Sequence, residues 1–331
     1  METRTLGRTG LVVTPIGLGL AALGRPGYIN LKHGEDLQHE YSVEAMQAHA
    51  HSVLDAAWDA GIRYFDAARS YGRAEVYLAS WLSRRAISPQ DATVGSKWGY
   101  TYTAEWKVDA QVHEVKDLSL AVLRRQRAES DANLDGYLKL YQIHSATLES
   151  GIFENLEVLK ELAAYRQAGL AIGLTLSGPR QAETLQRAMQ IRLDGQPVFD
   201  SVQATWNLLE PSAGKALQAA HQEGMGVIVK EALANGRLTE KNDDPEFAPR
   251  RALLEATAMD LNASLDSLCL AAVLAQPWAD VVLSGAATRE QLASNVTALN
   301  VPWTQANSDR LAVVCEPPEQ YWAGRSALPW I

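Results

Sequence analysis

Asp66 closes the segment GIRYFD, and Tyr71 follows it by five residues. Lys97 lies in ATVGSKW, and His144 closes LYQIH. A carboxylate, a phenol, an ammonium and an imidazole, each at or just past the end of an apolar segment, are the parts of a proton-transfer site. A free phenol, with a pKa of about 10, exchanges protons poorly at neutral pH. An ammonium beside it favours the phenolate, so Lys97 is expected to lower the value for Tyr71. Asp66 would keep Lys97 charged and oriented, and His144 would hydrogen-bond a substrate oxygen or the phenol. Such a set suits an oxygen that becomes an alkoxide, as in the reduction of a carbonyl. No side chain can supply the hydride, so a nicotinamide cofactor is implied.

These groups share a site only if the elements beneath them converge. Eight apolar runs read as strands: 15–21, 63–67, 92–98, 134–144, 170–176, 199–207, 225–233 and 279–286. They are continuous rather than alternating, which means burial on both faces and a parallel sheet covered by helices. Helical patterns alternate with them, at 43–60, 74–85, 108–128, 157–169, 179–189, 211–224, 250–275 and 288–299. Eight such units fit an α/β fold of the (β/α)8 TIM barrel type, in which strand C-termini meet on one rim. The chain is expected to form one domain over 1–331, with an N-terminal β-hairpin within 1–14 and a C-terminal extension over 300–331. The first loop, 24–41, is long enough to be functional. GLGLAALG (17–24) is no dinucleotide fingerprint, because its spacing is G-x-G-x-x-x-x-G and no helix opens directly after it.

Composition narrows the partners. A net charge of −9 argues against nucleic acid. Cys269 and Cys315 have no metal-like spacing, so no metal is expected and a reducing compartment is implied. The N-terminus lacks the apolar core of a signal peptide. No run approaches the roughly 18–20 apolar residues of a membrane span. The expectation is a cytoplasmic protein acting on a small molecule, without a membrane.

FDAARSYGRAEVYLASWL resembles the signature of the aldo/keto reductase family: an aspartate, a tyrosine five residues on, and a glutamate after the glycine. TVGSKW and LYQIHS are similar to the family's lysine and histidine strands, and LAIGLTLS takes the place of its IGVSN strand. DSVQATWNLLEP, VIVKEALANGRLT and VVLSGAATREQLASNV extend the resemblance along nearly the whole chain. The resemblance implies NAD(P)H bound extended across the C-terminal rim of a (β/α)8 barrel, with Tyr71 as general acid. It implies that Gln203 bonds the nicotinamide carboxamide and that Ser284, Gly285, Gln291 and Asn295 line the adenosine end. The chain also departs from the pattern. Thr175 and Leu176 replace a Ser-Asn pair, leaving Ser177 as a shifted substitute. Lys230 stands where a tyrosine usually stacks on the nicotinamide, so that stacking is either lost or supplied elsewhere, with Trp206 as the candidate ring. Only Arg289 is near for a 2′-phosphate. NADP(H) is the family default and NAD(H) the alternative.

Tyr28 in the first loop, and Trp98, Tyr100, Tyr102 and Trp106 after the third strand, are candidate substrate walls, with Trp322 and Trp330 in the tail. Aromatic walls suit an aldehyde, ketone or sugar-like carbonyl, and no arginine clamp marks a carboxylate or phosphate substrate. A non-catalytic, nicotinamide-binding regulatory subunit of the same fold is the alternative reading. A Schiff-base lyase using Lys97 is a second, against which Asp66 and Tyr71 argue.

Overall fold

The apolar runs form strands because helices cover one face and the barrel interior the other. In the computed structural model, which describes residues 1–331, the strands are β1 (Ile16–Gly19), β2 (Tyr64–Asp66), β3 (Thr93–Trp98), β4 (Leu138–Ala146), β5 (Ala171–Leu176), β6 (Ser201–Thr205), β7 (Gly226–Lys230) and β8 (Val281–Ser284). They close in the order β1 to β8, every neighbour parallel and β8 returning to β1. Register sets the rim: Gly19 pairs with Asp66, Asp66 with Gly95, and Lys97 with Gln142.

The covering helices are α1 (Val43–Asp59), α2 (Ala74–Arg84), α3 (Leu120–Leu134), α4 (Leu156–Gln167), α5 (Gln181–Met189), α6 (Gly214–Gln222), α7 (Leu265–Leu274) and α8 (Arg289–Thr297). Ser42, Ser119, Asn155, Ser264 and Thr288 start five of them, each side chain accepting from a backbone N–H of the first turn. Outward strand residues such as Phe65, Val94, Ile143 and Leu174 are fully buried against the helices. Each contributes roughly 1.5–3 kcal/mol relative to exposure.

The N-terminal hairpin, Arg4–Thr5 against Val12–Val13, carries buried Leu6 and Val13 into one cluster with Tyr64, Leu140, Ile228 and Val281. Arg8 N bonds Gly224 O at 2.8 Å, beside the start of β7, so the hairpin plugs the end opposite the strand C-termini. The helix expected over 108–128 is shorter and later. Tyr100–Tyr102 pairs antiparallel with Glu114–Lys116, and α3 begins only after its cap at Ser119. Gln126 anchors this arrangement, its side chain accepting from Gly99 N at 2.8 Å and donating to Tyr100 O at 3.0 Å.

Beyond α8, helices Gln305–Leu311 and Pro318–Ser326 pack on the helix Ala248–Asp260 through Leu254, Leu311, Tyr321 and Trp322. The chain then returns across the rim, where Tyr28 and Ile331 exchange backbone hydrogen bonds of 3.1 and 3.2 Å. No single helix is long and apolar enough to cross a membrane.

Candidate active site

Lys97 and Asp66 meet at the ends of β3 and β2 as a buried ion pair, Nζ to Oδ2, with side chains 1% and 2% exposed. Lys97 Nζ also donates to Ala67 O at 2.9 Å. The other carboxylate oxygen, Oδ1, accepts from Gln203 Nε2 at 3.0 Å, Tyr64 OH at 3.2 Å and Gln142 Nε2 at 3.3 Å. A buried charge persists when it is paired and hydrogen-bonded in this way. Gly95 makes room for the arrangement, since a Cβ there would lie 2.6 Å from Tyr64 OH.

Tyr71 sits in the turn after β2, its N–H bonding Ala68 O at 3.1 Å. Its ring meets that of His144 edge-on, centroids 5.5 Å apart at 83°, and Lys97 Nζ lies 4.7 Å from the Tyr71 ring centroid. Tyr100 approaches the imidazole at 5.0 Å. Just past His144, Ser145 adopts φ +56°, and the β4 register shifts between Ile143 and Ala146. A non-glycine residue in the left-handed region at a strand end is a local strain typical of working sites. Ser145 N is held by Thr175 Oγ1 at 2.7 Å, and its carbonyl accepts from Lys116 Nζ at 2.6 Å.

Burial sets the protonation states. It raises the Tyr71 phenol well above its ordinary value, Asp66 adds to the rise, and Arg25 opposes it. The expected lowering by Lys97 is therefore corrected: the lysine's charge is met by Asp66, and the phenol stays protonated. Burial, followed by the nearby cations Lys97 and Arg25, holds the His144 imidazole well below its ordinary value, so it is neutral at pH 7.

Tyr71 and His144 open into a cavity of about 640 Å³ whose lining runs from Asp66 and Tyr100 to the segment beside β8. Tyr28, Tyr100, Ser177, Gln203, Lys230, Ser284, Gly285, Gln291 and Asn295 all line it. Three sequence expectations are displaced. Trp98 follows Lys97 in β3, so strand alternation turns it away from the barrel interior, and it is fully buried in the core with Leu123 and Ile143. Trp206 likewise packs in that core, edge-on to Trp278. Arg289 is exposed and off the cavity lining. Of the remaining aromatic candidates, Trp330 lines the cavity and stacks on His113, whereas Tyr102, Trp106 and Trp322 do not line it.

Charged residues of the cavity went unread in the sequence. Arg25, 2% exposed, bonds Glu114 and Ser70 O, and Arg325 grips Glu231 through Nε at 2.9 and 3.0 Å. Both guanidinium groups are thus paired. The signal for Arg25 was its place in GRPG, in the loop six residues past the end of β1. Beside β8, Asp36 accepts from Lys241 Nζ and from Gln291 Nε2, the latter at 2.8 Å. Asn295 accepts from Ser284 Oγ at 2.8 Å and donates to Asp266 Oδ2 at 2.9 Å.

The uncharacterized oxidoreductase YqkF of Bacillus subtilis (strain 168) is 26% identical over 321 residues, covering 91% of this chain and 92% of its own. Two solved structures share the fold. The aldo-keto reductase AKR11C1 from Bacillus halodurans, in its holo form, has a TM-score of 0.72 at 21% identity, covering 97% of this chain and 99% of its own. The glycerol dehydrogenase AKR11B4 from Gluconobacter oxydans has a TM-score of 0.73 at 20% identity, covering 95% and 94%. Residues 15–314 match the aldo/keto reductase family, and the chain belongs to that family of oxidoreductases.

Proposed function

We propose that the protein is an NAD(P)H-dependent oxidoreductase that reduces an aldehyde or ketone, or oxidises the corresponding alcohol or sugar, with Tyr71 as general acid/base. The carrying observation is the meeting of Tyr71 and His144 on one cavity floor, with the buried Lys97–Asp66 pair packed against the Tyr71 ring. His144 orients the carbonyl oxygen. Tyr71 gives its proton to that oxygen as negative charge builds there. The Lys97–Asp66 ion pair packs Lys97 against the Tyr71 ring and fixes its place on the floor. The bound nicotinamide supplies the hydride.

The cavity suits such a group. Ser177, Gln203 and Lys230 near the floor would hold the nicotinamide end, and Ser284, Gly285, Gln291 and Asn295 the adenosine end. A Cβ at Gly285 would meet nothing within 4 Å, so the backbone there is open to close approach. Asn235, also in the lining, has a buried side-chain oxygen with no partner. NADP(H) is the family default, but the lining beside β8 carries Glu240, Asp266 and Glu290, while Lys241 is paired with Asp36. Carboxylates accept from a ribose diol and repel a 2′-phosphate, so NADH should bind at least as tightly as NADPH.

Quenching of the nine tryptophans gives the affinity for each coenzyme. NADPH binding about tenfold tighter would refute the charge reasoning. Tyr71→Phe should abolish reduction of 4-nitrobenzaldehyde and leave coenzyme binding intact. Equal turnover in the variant would rule out the phenol as the acid. A wild-type protein that binds coenzyme but reduces no carbonyl in a panel would favour a regulatory subunit.

A further inference from the structure

We propose that Arg25 is a positioning residue of the acid/base site, fixing the Tyr71 turn and stabilising the negative charge that develops on the phenol oxygen. This rests on Tyr71 being the proton donor. The Arg25 side chain is 3% exposed, and its NH1 donates to Ser70 O at 2.9 Å and Glu114 Oε2 at 3.0 Å. Ser70 is the residue immediately before Tyr71. Three rings surround the guanidinium, with centroids 4.7 Å (Trp330), 5.2 Å (Tyr71) and 5.4 Å (Tyr28) from its carbon. Its Nε is buried without a partner.

The two turns are packed as one unit. Gly24 O accepts from Arg73 N at 2.7 Å, and a Cβ at Gly24 would lie 2.2 Å from Tyr71 O. A Cβ at Gly72, whose φ is +58°, would lie 3.0 Å from Arg25 Cβ. Any shift of Arg25 is therefore felt at Tyr71.

The other charges facing Tyr71 are largely matched. Asp66 of β2 pairs with Lys97 of β3. Lys230 at the end of β7 and Arg325 of the C-terminal helix both lie against Glu231. His144 of β4 is neutral, and the phenols of Tyr28, Tyr64 and Tyr100 are raised by burial. Glu114 neutralises Arg25 in part, through one nitrogen. Arg25 is the leading attraction opposing the rise of the Tyr71 phenol. Arginine suits the place because a guanidinium keeps its charge when dry, whereas burial brings Lys230 down to about 8.

The test compares wild type, R25M, R25K, the double variant R25M/E114Q and Y71F, using 4-nitrobenzaldehyde and 4-nitrobenzyl alcohol across pH. Removing the cation should lower kcat about tenfold or more and move the rise of alcohol oxidation about one pH unit higher, with KM little changed. R25K should restore part of both. R25M/E114Q leaves no lone buried carboxylate, so it reads the shift, in the same direction but smaller because Glu114 itself raises the phenol, if R25M alone fails to fold. A raised KM with kcat and pH profile unchanged would make Arg25 a substrate contact and overturn the proposal. A second readout needs no turnover. In protein carrying 13C at tyrosine Cζ, the Tyr71 resonance, identified by its loss in Y71F, should move in R25M and return toward wild type in R25K. An unmoved resonance overturns the proposal for Arg25. Undiminished turnover in Y71F overturns instead the reading on which it rests.

Discussion

Glu231→Gln probes the clamp that ties the C-terminal helix to the barrel. Glu231 directly follows β7, its side chain 8% exposed and its φ +56°. It accepts from Arg325 Nε on both oxygens and from Thr205 Oγ1 at 2.9 Å, with Lys230 Nζ at 3.5 Å. Burial alone would raise its pKa, but Arg325 and then Lys230 outweigh burial and bring it from 4.5 down to about 2. A difference of about 2.5, at roughly 1.36 kcal/mol each, is about 3 kcal/mol of folding free energy. Because the folded value lies below the unfolded one, this stability is fully present above pH 4.5. It is lost as pH falls through 2. The glutamine variant lacks it at every pH. Urea denaturation should therefore find wild type about 3 kcal/mol more stable at pH 7, with the gap closing below pH 4.5. A gap under about 1 kcal/mol at pH 7, or one that stays constant down to pH 3, would refute the reasoning. The variant should also raise KM, because the helix that Arg325 anchors leads directly to Leu328 and Trp330 of the cavity wall.

Three further outcomes follow from the same geometry. His144 is held neutral well below pH 6.5, so kcat/KM for reduction should run flat through that pH, and an inflection at 6.5 that His144→Gln removes would contradict it. Asp66→Asn leaves the Lys97 ammonium buried without its counter-charge; urea denaturation should show a loss of about 3–5 kcal/mol, and a loss below about 1 would mean that the lysine is neutral. Gly24→Ala places a carbon 2.2 Å from Tyr71 O and 2.6 Å from Ala74 Cβ. It should lower both the melting temperature and kcat, by about 1–3 kcal/mol in stability, and a variant with wild-type kcat would show that the Tyr71 turn tolerates displacement.

The eight strands were legible because burial on both faces writes itself as an unbroken apolar run, whatever lies far off in the chain. Asp66, Lys97 and His144 were legible for the same reason: each stands at the end of such a run, and a closed parallel barrel must bring those ends to one rim. Residues 100–116 were harder. Their antiparallel pairing is anchored at one end by Gln126, a residue of the next helix, and no local periodicity announces it. The direction of Trp98 followed from alternation along β3, once Lys97 was known to face inward.

Local sequence therefore determined the barrel and which residues stand at its rim as the proposed acid/base set. Only the tertiary structure decided the state of that set and its surroundings. Arg25 finds Glu114 across 89 residues, and Arg325 finds Glu231 across 94. Such pairings leave no spacing to read. The protonation of Tyr71 turns on how dry the cavity floor is and which charges face it, and desolvation is a property of the folded surroundings rather than of neighbours in the chain.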